Sequence, residues 1–434
     1  MTTDRRTSPA RARAAGQRGF TLVELLVAMA AGLVVSLAAF LLSKNATRFF
    51  QNEARASASH LAATVGLNRL AADLQRAAYL STPNIRVDPE VCQVPAEPPG
   101  LNVLAGIAIR RRGSVFEGGA ELTQSADNEL YPDSIIIGGS LSSNELFEFR
   151  SISDASGALV VQLNPNSAAV QRTLQRANGS GQGLSQIFAP NRILRVMVRG
   201  QTQFLYGVIQ GTNVQGNPPN LIAITLKPTP GLPMLSGLGR CGVTPGGATG
   251  DGGWVNVVNR VRYNIRSLVH KGTPYDPLVE PIAPEQTGDN GRTELVRVEL
   301  DDENNEIDET LELIAEYAVD LKFGISIAEE STDLSITDPF IQRWPILSTD
   351  STTVYNTAAP LDQLSSATPQ RVRSVQIRLS TRTRAPDRDV GYPERSDGRR
   401  LRFLIPGILG GTTYARMRTL YADVALPNQA YVKW

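Results

Sequence analysis

The chain has 434 residues, 41% hydrophobic, 20% charged and 6% aromatic, with 43 Lys+Arg against 42 Asp+Glu. Charge and apolar content this close to globular averages exclude a disordered polymer, a collagen and a polytopic membrane protein. The formal charge of +1 names no partner and conceals an asymmetry: the first 19 residues hold Arg5, Arg6, Arg11, Arg13 and Arg18 against Asp4 alone, so the remainder sums to −3. Two cysteines (Cys92, Cys241) and two histidines (His60, His270) are too few for a Cys/His zinc site. They also leave little for a Ser/His/Asp or Cys/His nucleophile, and no Walker loop, GxSxG or HExxH occurs. The residues therefore point away from an enzyme, and no cofactor is expected.

From Leu25 to Leu42 the chain reads LLVAMAAGLVVSLAAFLL, eighteen residues without a charge, long enough as a helix to cross or nearly cross a bilayer. The arginines before it place the N-terminus in the cytoplasm and the rest outside by the positive-inside rule. A cleaved secretory signal is disfavoured because the apolar run exceeds an h-region of about 7 to 15 residues, although Ala54-Arg55-Ala56 imitates an A-x-A site. A plain membrane anchor remains open. Neither accounts for Glu24, a carboxylate at the head of an apolar helix, where an unpaired charge costs several kcal/mol or needs a partner.

Around it the chain reads Gln17-Arg18-Gly19-Phe20-Thr21-Leu22-Val23-Glu24-Leu25-Leu26. This resembles the class III signal of type IV pilins and of the pseudopilins of type II secretion. The resemblance covers about residues 16 to 45 and implies cleavage by a prepilin peptidase after Gly19. It also implies N-methylation of the new N-terminus, Phe20, and an assembly role for Phe20 and Glu24. The physics agrees: cleavage creates a cationic α-amine, and a carboxylate buried in one subunit can pair with the amine of a neighbour, fixing axial register.

Beyond Ser43 the chain turns polar but keeps helical spacing. Leu67, Leu70, Leu74 and Ala78, with Leu61 and Val65 before them, form an amphipathic stripe. Without a proline before Pro83, one helix is expected from Phe20 to about Leu80, about 90 Å long, its first half in lipid or a fibre core and its second half on a head. ADLQRAAYL resembles the end of this helix in PilW-type minor pilins. Five prolines between residues 81 and 100 then end the helix.

Short alternating runs follow. Ile135 to Ile137 and Leu146 to Arg150 flank GGSLSSNE and read as a hairpin. Leu159 to Leu163, Ile193 to Val198, Phe204 to Ile209 and Leu221 to Leu226 are further strands. Residues 228–253 are a Gly/Pro-rich loop. Trp254 to Val269, Leu295 to Leu300, Thr310 to Ile325, Arg371 to Arg384 and Arg416 to Leu426 form a second set. The expected fold is α+β: a long N-terminal helix packed on a large β-rich head of two sheets or subdomains. The expected divisions are a basic leader at 1–19, a membrane and assembly helix at 20–43, its amphipathic continuation at 44–80, and head portions at 81–227 and 254–434 separated by the loop at 228–253. RVRSVQIRLSTRTR and YARMRTLYADVALPN also resemble late strands of PilW-type proteins, but Pro427 stands where those proteins carry an arginine before an asparagine.

Three candidate sites lie in the head. Asp301, Glu303, Asn305 and Glu312 fall at positions 1, 3, 5 and 12 of a calcium loop. Glu306 occupies the position that needs glycine and the flanks alternate as strands, so a solvated hairpin turn is the better account and no metal is expected. Cys92 and Cys241, outside the cytoplasm by the topology above, are candidates for a disulfide. Arg378, Arg382 and Arg384 share a strand face opposite Val375, Ile377 and Leu379 and could hold an anion. No aromatic array accompanies them, which favours a solvated face over nucleic acid.

The resemblance implies a structural minor pilin in a priming or tip complex of a type IV pilus. Its expected partners are the major pilin, other minor pilins, the prepilin peptidase/N-methyltransferase, the inner-membrane assembly platform and a tip adhesin. It would be a single-pass inner-membrane protein with a cytoplasmic N-terminus and a periplasmic head, later built into the surface fibre. A J-like minor pseudopilin of type II secretion and a pilus-associated adhesin or DNA-binding module are the alternatives.

Overall fold

A computed structural model describes residues 20–110, 122, 125, 128, 130–155, 157–179, 181–216, 219–235, 241–244, 252–268, 292–329, 340–346, 367–384, 402–406 and 412–432. The chain divides into two compact units, residues 1–54 and 55–434. A single helix, α1 (Leu22–Gln75), begins in the first and ends in the second. Ala, Leu and the absence of proline favour it. In the first unit every residue from Phe20 to Gln51 is exposed.

The helix stops at Gln75, short of the expected Leu80, because the chain turns onto the sheet. Ala78 (φ 59°) and Leu80 (φ 47°) are left-handed, the Ala78 N–H donates to the Gly138 carbonyl at 2.8 Å and the Ser140 N–H to the Tyr79 carbonyl at 2.8 Å. A Cβ on Gly139 would lie 2.6 Å from the Arg76 carbonyl oxygen, so only glycine admits this approach.

In the second unit α1 buries Ala56, Ser59, Ala63, Gly66, Leu70 and Asp73, spaced alternately by three and four, together with Leu67 and Leu74. Leu61 and Val65, expected on this stripe, are 64% and 53% exposed. Small residues replace them on the packed face because the helix approaches closely there: a Cβ on Gly66 would meet Ala315 Cβ at 3.2 Å and Leu379 Cδ2 at 3.3 Å. Nearby, Ser59 Oγ and Thr381 Oγ1 share a hydrogen bond of 2.9 Å.

The head is β-rich with two sheets. The first contains β1 (Ile107–Arg110), β2 (Ser134–Gly139), β3 (Phe147–Ala155), β4 (Ala158–Leu163), β5 (Ile193–Val198), β6 (Leu205–Gly216), β7 (Pro219–Leu226), β8 (Gly253–Arg266), β9 (Glu294–Leu300) and β10 (Glu306–Glu316). The long strand β8 organises it. Its first half pairs with β3 and β5 and its second half with β2 and β9, all antiparallel. The successive pairings β8, β3, β4, β7, β6, β5 and back to β8 close a barrel-like ring. Phe147, Phe149, Val196, Ile209, Ile224 and Val255 belong to its core. Among the described residues three short helices, α2 (Pro99–Asn102), α3 (Ala168–Arg176) and α4 (Gln182–Ile187), accompany this part, and α3 and α4 add Val170, Leu174 and Leu184 to that core.

The second sheet, in the order β12 (Phe340–Trp344), β11 (Ala318–Glu329), β13 (Val372–Arg382), β15 (Thr412–Ala425), β14 (Arg402–Pro406), is antiparallel throughout. Leu70 and Leu74 of α1 share one apolar cluster with Ile135 and Tyr263 of the first sheet and Phe323 and Ile377 of the second. The helix is thus built into a core between the two sheets.

Three sequence readings change. The division of the head at 228–253 does not separate the sheets, since β8 immediately follows that stretch and lies at the centre of the first sheet. Residues 135–150 are not a hairpin: β2 and β3 each pair with a different half of β8, which at 14 residues can take both end to end. The expected strand Thr310 to Ile325 is two strands in different sheets, broken at Tyr317 (φ 54°). Arg292 and Arg382 lie over the Tyr317 ring at 4.8 and 5.1 Å, a geometry in which each guanidinium is attracted to the ring.

Candidate assembly site at the N-terminus and the helix-to-head junction

The first helical turn is a capping box. Thr21 stands before the helix: the Glu24 N–H donates to Thr21 Oγ1 at 3.2 Å, and the Thr21 N–H and hydroxyl both donate to Glu24 Oε2 at 3.0 Å. Two helix-end donors are thus satisfied inside the chain, and Glu24 Oε1 accepts no hydrogen bond among the described residues. Phe20 is 84% exposed. Gly19 lies outside the described residues. From here to Leu42 the helix presents apolar side chains on all sides, with none of the Leu25–Leu42 stretch buried. A helix that is apolar all round needs lipid or other helices around it.

The junction of α1 with the head is held by a charge network that sequence reading missed. Asp73, 2% exposed on the packed face of the helix, accepts from the Tyr263 hydroxyl at 2.7 Å and from Arg297 Nε at 2.8 Å. Arg297 also approaches Glu312 at 3.5 Å, and Arg69 reaches Glu312 at 3.3 Å and Asp73 at 3.8 Å. Burial, reinforced by the Asp73 carboxylate, pushes the Tyr263 phenol well above its ordinary range. Burial opposes the Arg297 cation, but Asp73, Tyr263 and Glu312 together outweigh it and the net direction is up. The available signal was Asp73 in register with Ala56, Ser59, Ala63, Gly66 and Leu70, an acidic residue on an otherwise small and apolar face.

The other end of the chain secures the same helix. Asn428 Nδ2 donates to the Gln75 carbonyl at 3.1 Å and the Ala77 carbonyl at 3.0 Å, satisfying acceptors that a helix C-terminus leaves open. Pro427 opens the short 3-10 turn Pro427–Gln429 that presents it.

Cys92 and Cys241 are joined by a disulfide with Cα atoms 5.8 Å apart. The acidic run is the turn between β9 and β10. Asp301 Oδ1 accepts from the Glu303 N–H at 2.8 Å and the Asn305 N–H at 2.7 Å, while Glu312 faces Arg69 and Arg297 along β10. The structure therefore does not bring the four calcium-spaced residues together: an isolated left-handed Asn304 (φ 70°) closes the turn, and Glu312 belongs to the helix junction.

The basic face on β13 is corrected. Arg378 is 6% and Arg382 1% exposed. Arg378 Nε donates to Asp320 at 2.9 Å, and Arg382 lies over Tyr317 and Phe403 and donates to the Arg384 carbonyl at 3.2 Å. Only Arg384 of the three is exposed. The arginines do lie on the face opposite Val375, Ile377 and Leu379, but that second face of the sheet is covered as well. Leu130 packs with Val319, Phe403 and Met417, and Asp133 pairs with Lys322 at 3.0 Å beneath it.

The family model of the prokaryotic N-terminal methylation motif matches residues 15–40. No curated protein and no solved structure matches the chain. The match covers the end of the leader, Gly19, Phe20 and the capping-box Glu24, so the N-terminal segment carries a class III prepilin signal and supports a type IV pilin-like family, with processing by a prepilin peptidase and a pilin- or pseudopilin-type role in pilus or secretion assembly.

Proposed function

We propose that the chain is a structural, non-enzymatic minor pilin of the PilW type. It waits in the inner membrane with its head in the periplasm, is cut between Gly19 and Phe20, and joins the priming or tip complex of a type IV pilus. One observation carries the reading: the exposed apolar segment of α1 begins with Phe20 and a helix-capping Glu24 inside the matched motif. Cleavage frees the α-amine of Phe20, which the methyltransferase then methylates. The Oε1 atom of Glu24 on a neighbouring subunit is the natural acceptor for that cation, and the pairing offsets the cost of carrying each charge into an apolar bundle. Because Glu24 is present, where the tip-most pseudopilin of such complexes often lacks it, the subunit sits below or within the tip complex.

Its partners are the major and other minor pilins, the prepilin peptidase/N-methyltransferase, the assembly platform and a tip adhesin. A DNA-binding module is disfavoured because Arg378 and Arg382 are buried. Mass spectrometry of the membrane-purified protein tests the core of the reading. An N-terminal methylated Phe20 is expected, and Met1 there would sink it. Recovery in sheared pili, with pili lost on deletion, supports the minor-pilin assignment; intact pili with failed protein export would assign the chain to type II secretion instead.

A further inference from the structure

The turn after β2, helices α3 and α4 and the end of α1 border a cleft of about 540 Å3 lined by Arg76, Asn144, Glu145, Arg176, Gln186 and Arg192, among others. That volume lies in the range of small-ligand sites, about 300 to 1,000 Å3. Most of its charges are held in place. Arg172 grips Glu145 through two hydrogen bonds of 2.9 and 2.6 Å. Arg192 is fixed by Glu299 at 2.8 and 2.7 Å and by the Ile187 carbonyl at 3.0 Å. Arg76 donates to the Ser140 carbonyl, to the Leu141 carbonyl at 2.9 Å and to Asn144 Oδ1 at 2.6 Å, while its buried Nε has no partner. With Glu145 offset by Arg172 and Glu299 by Arg192, the cations left over are Arg76 and Arg176. Arg176 is exposed and makes no ion pair among the described residues.

The rest of the lining is rich in hydroxyls and amides. Ser142 and Ser143 join Asn144 and Gln186, and among the described residues no aromatic side chain lines the cleft. A nucleobase would have nothing to stack on, and a phosphate polymer would call for a track of cations rather than two at one spot. A ligand with one carboxylate and many hydroxyls matches both features, because an arginine fork binds a carboxylate through charge-assisted bonds.

We propose that this cleft binds a carboxylate-bearing sugar of an acidic glycan, with the carboxylate on Arg176, attracted also by the charge of Arg76, which is held in the cleft wall, and the hydroxyls on the serine and amide side chains. This gives the head a ligand-binding role separate from assembly, and its outcome does not depend on how the N-terminus is processed.

The test titrates the full-length mature protein in detergent with an oligogalacturonate, with the same oligosaccharide after its carboxylates are reduced, and with single-stranded DNA. Saturable, salt-sensitive binding of the oligogalacturonate is expected, at least tenfold tighter than the neutral oligomer. Arg176→Ala should weaken it at least tenfold at an unchanged melting temperature, since that side chain is exposed and makes no ion pair among the described residues. Ser142→Ala should weaken it severalfold. No saturable oligogalacturonate binding, or equal binding by Arg176→Ala, overturns the proposal. Single-stranded DNA binding at least as tightly, with the same dependence on Arg176, would reassign the cleft to phosphate and overturn the sugar assignment.

Discussion

Replacing Asp73 tests whether its charge network anchors α1 to the head. Asp73→Ala removes the acceptor for Tyr263, whose ring is fully buried, and the nearest counterion of Arg297, whose side chain is 11% exposed. Breaking a buried pair by deleting one partner costs about 3–5 kcal/mol, and an orphaned buried hydroxyl about 1–3 kcal/mol. Glu312 remains 3.5 Å from Arg297 but is half-exposed, so it returns only part of the loss, and about 3 kcal/mol is the expected net. At an unfolding entropy of about 2 cal/mol/K per residue, the unit of residues 55–434 should lose about 4 °C in melting temperature, read by near-ultraviolet circular dichroism. Asp73→Asn keeps an acceptor for Tyr263 and should cost about half as much. The double variant Asp73→Ala/Arg297→Met removes both charges and should recover most of the loss apart from the Tyr263 hydroxyl. A melting temperature for Asp73→Ala within about 1 °C of the parent, on the scale of surface substitutions, would refute the network as an anchor.

Gly66→Leu should destabilise the head by about 1–3 kcal/mol through overpacking against Ala315 and Leu379, whereas Gly66→Ala, trading up to about 1 kcal/mol of helix propensity against contacts of 3.2 and 3.3 Å, should stay near neutral in the same melt. Asn428→Ala should cost about 1 kcal/mol by opening the Gln75 and Ala77 carbonyls, with earlier hydrogen exchange at the end of α1. The double variant Cys92→Ser/Cys241→Ser releases a cross-link with a sequence separation of 149 and should lower stability by up to about 5 kcal/mol in the chain-entropy account, measured by urea denaturation. Burial raises the Glu306 carboxyl, but Arg266 and Arg262 outweigh it, so its folded pKa lies below the ordinary 4.5. Its contribution is therefore present above 4.5 and lost as pH falls through the folded value. Glu306→Gln should shrink the difference between urea midpoints at pH 7 and pH 3.5, and an unchanged difference would remove Glu306 from the acid response.

What the sequence could reveal tracks how local each cause is. The membrane-length run, the helix that follows it and most strands rest on periodicity and punctuation, and they appear close to where the residues place them. The misreadings share a different cause. Arg378 and Arg382 were assigned to the correct side of β13, yet the polarity of a strand face reports side-chain chemistry, not whether a distant segment such as Leu130–Asp133 lies across it. Leu61 and Val65 are the larger apolar residues of their turns, but closeness of approach selected Ala63 and Gly66 for the packed face. The hairpin read between β2 and β3 failed because pairing partners of high sequence separation, here the two halves of β8, outcompeted the nearer one.

Helix α1 joins two segments with opposite requirements. From Ala56 onward its packed face follows an alternating three- and four-residue spacing and is satisfied by the chain's own sheets, with Asp73 and Asn428 fixing its end. From Leu25 to Leu42 no such face exists: the residues are almost all apolar, on every side of the helix, and exposed, and at about 25 cal/mol per Å2 of apolar surface leaving them in water is untenable. A segment of this kind calls for a cover of lipid or of other helices. The capping box at Thr21 and Glu24 lets the same helix start serve in both surroundings. It satisfies backbone donors inside the chain, so the helix start is formed in advance, and it leaves Glu24 Oε1 without a hydrogen bond among the described residues, the atom to which the proposed assembly pairing is assigned.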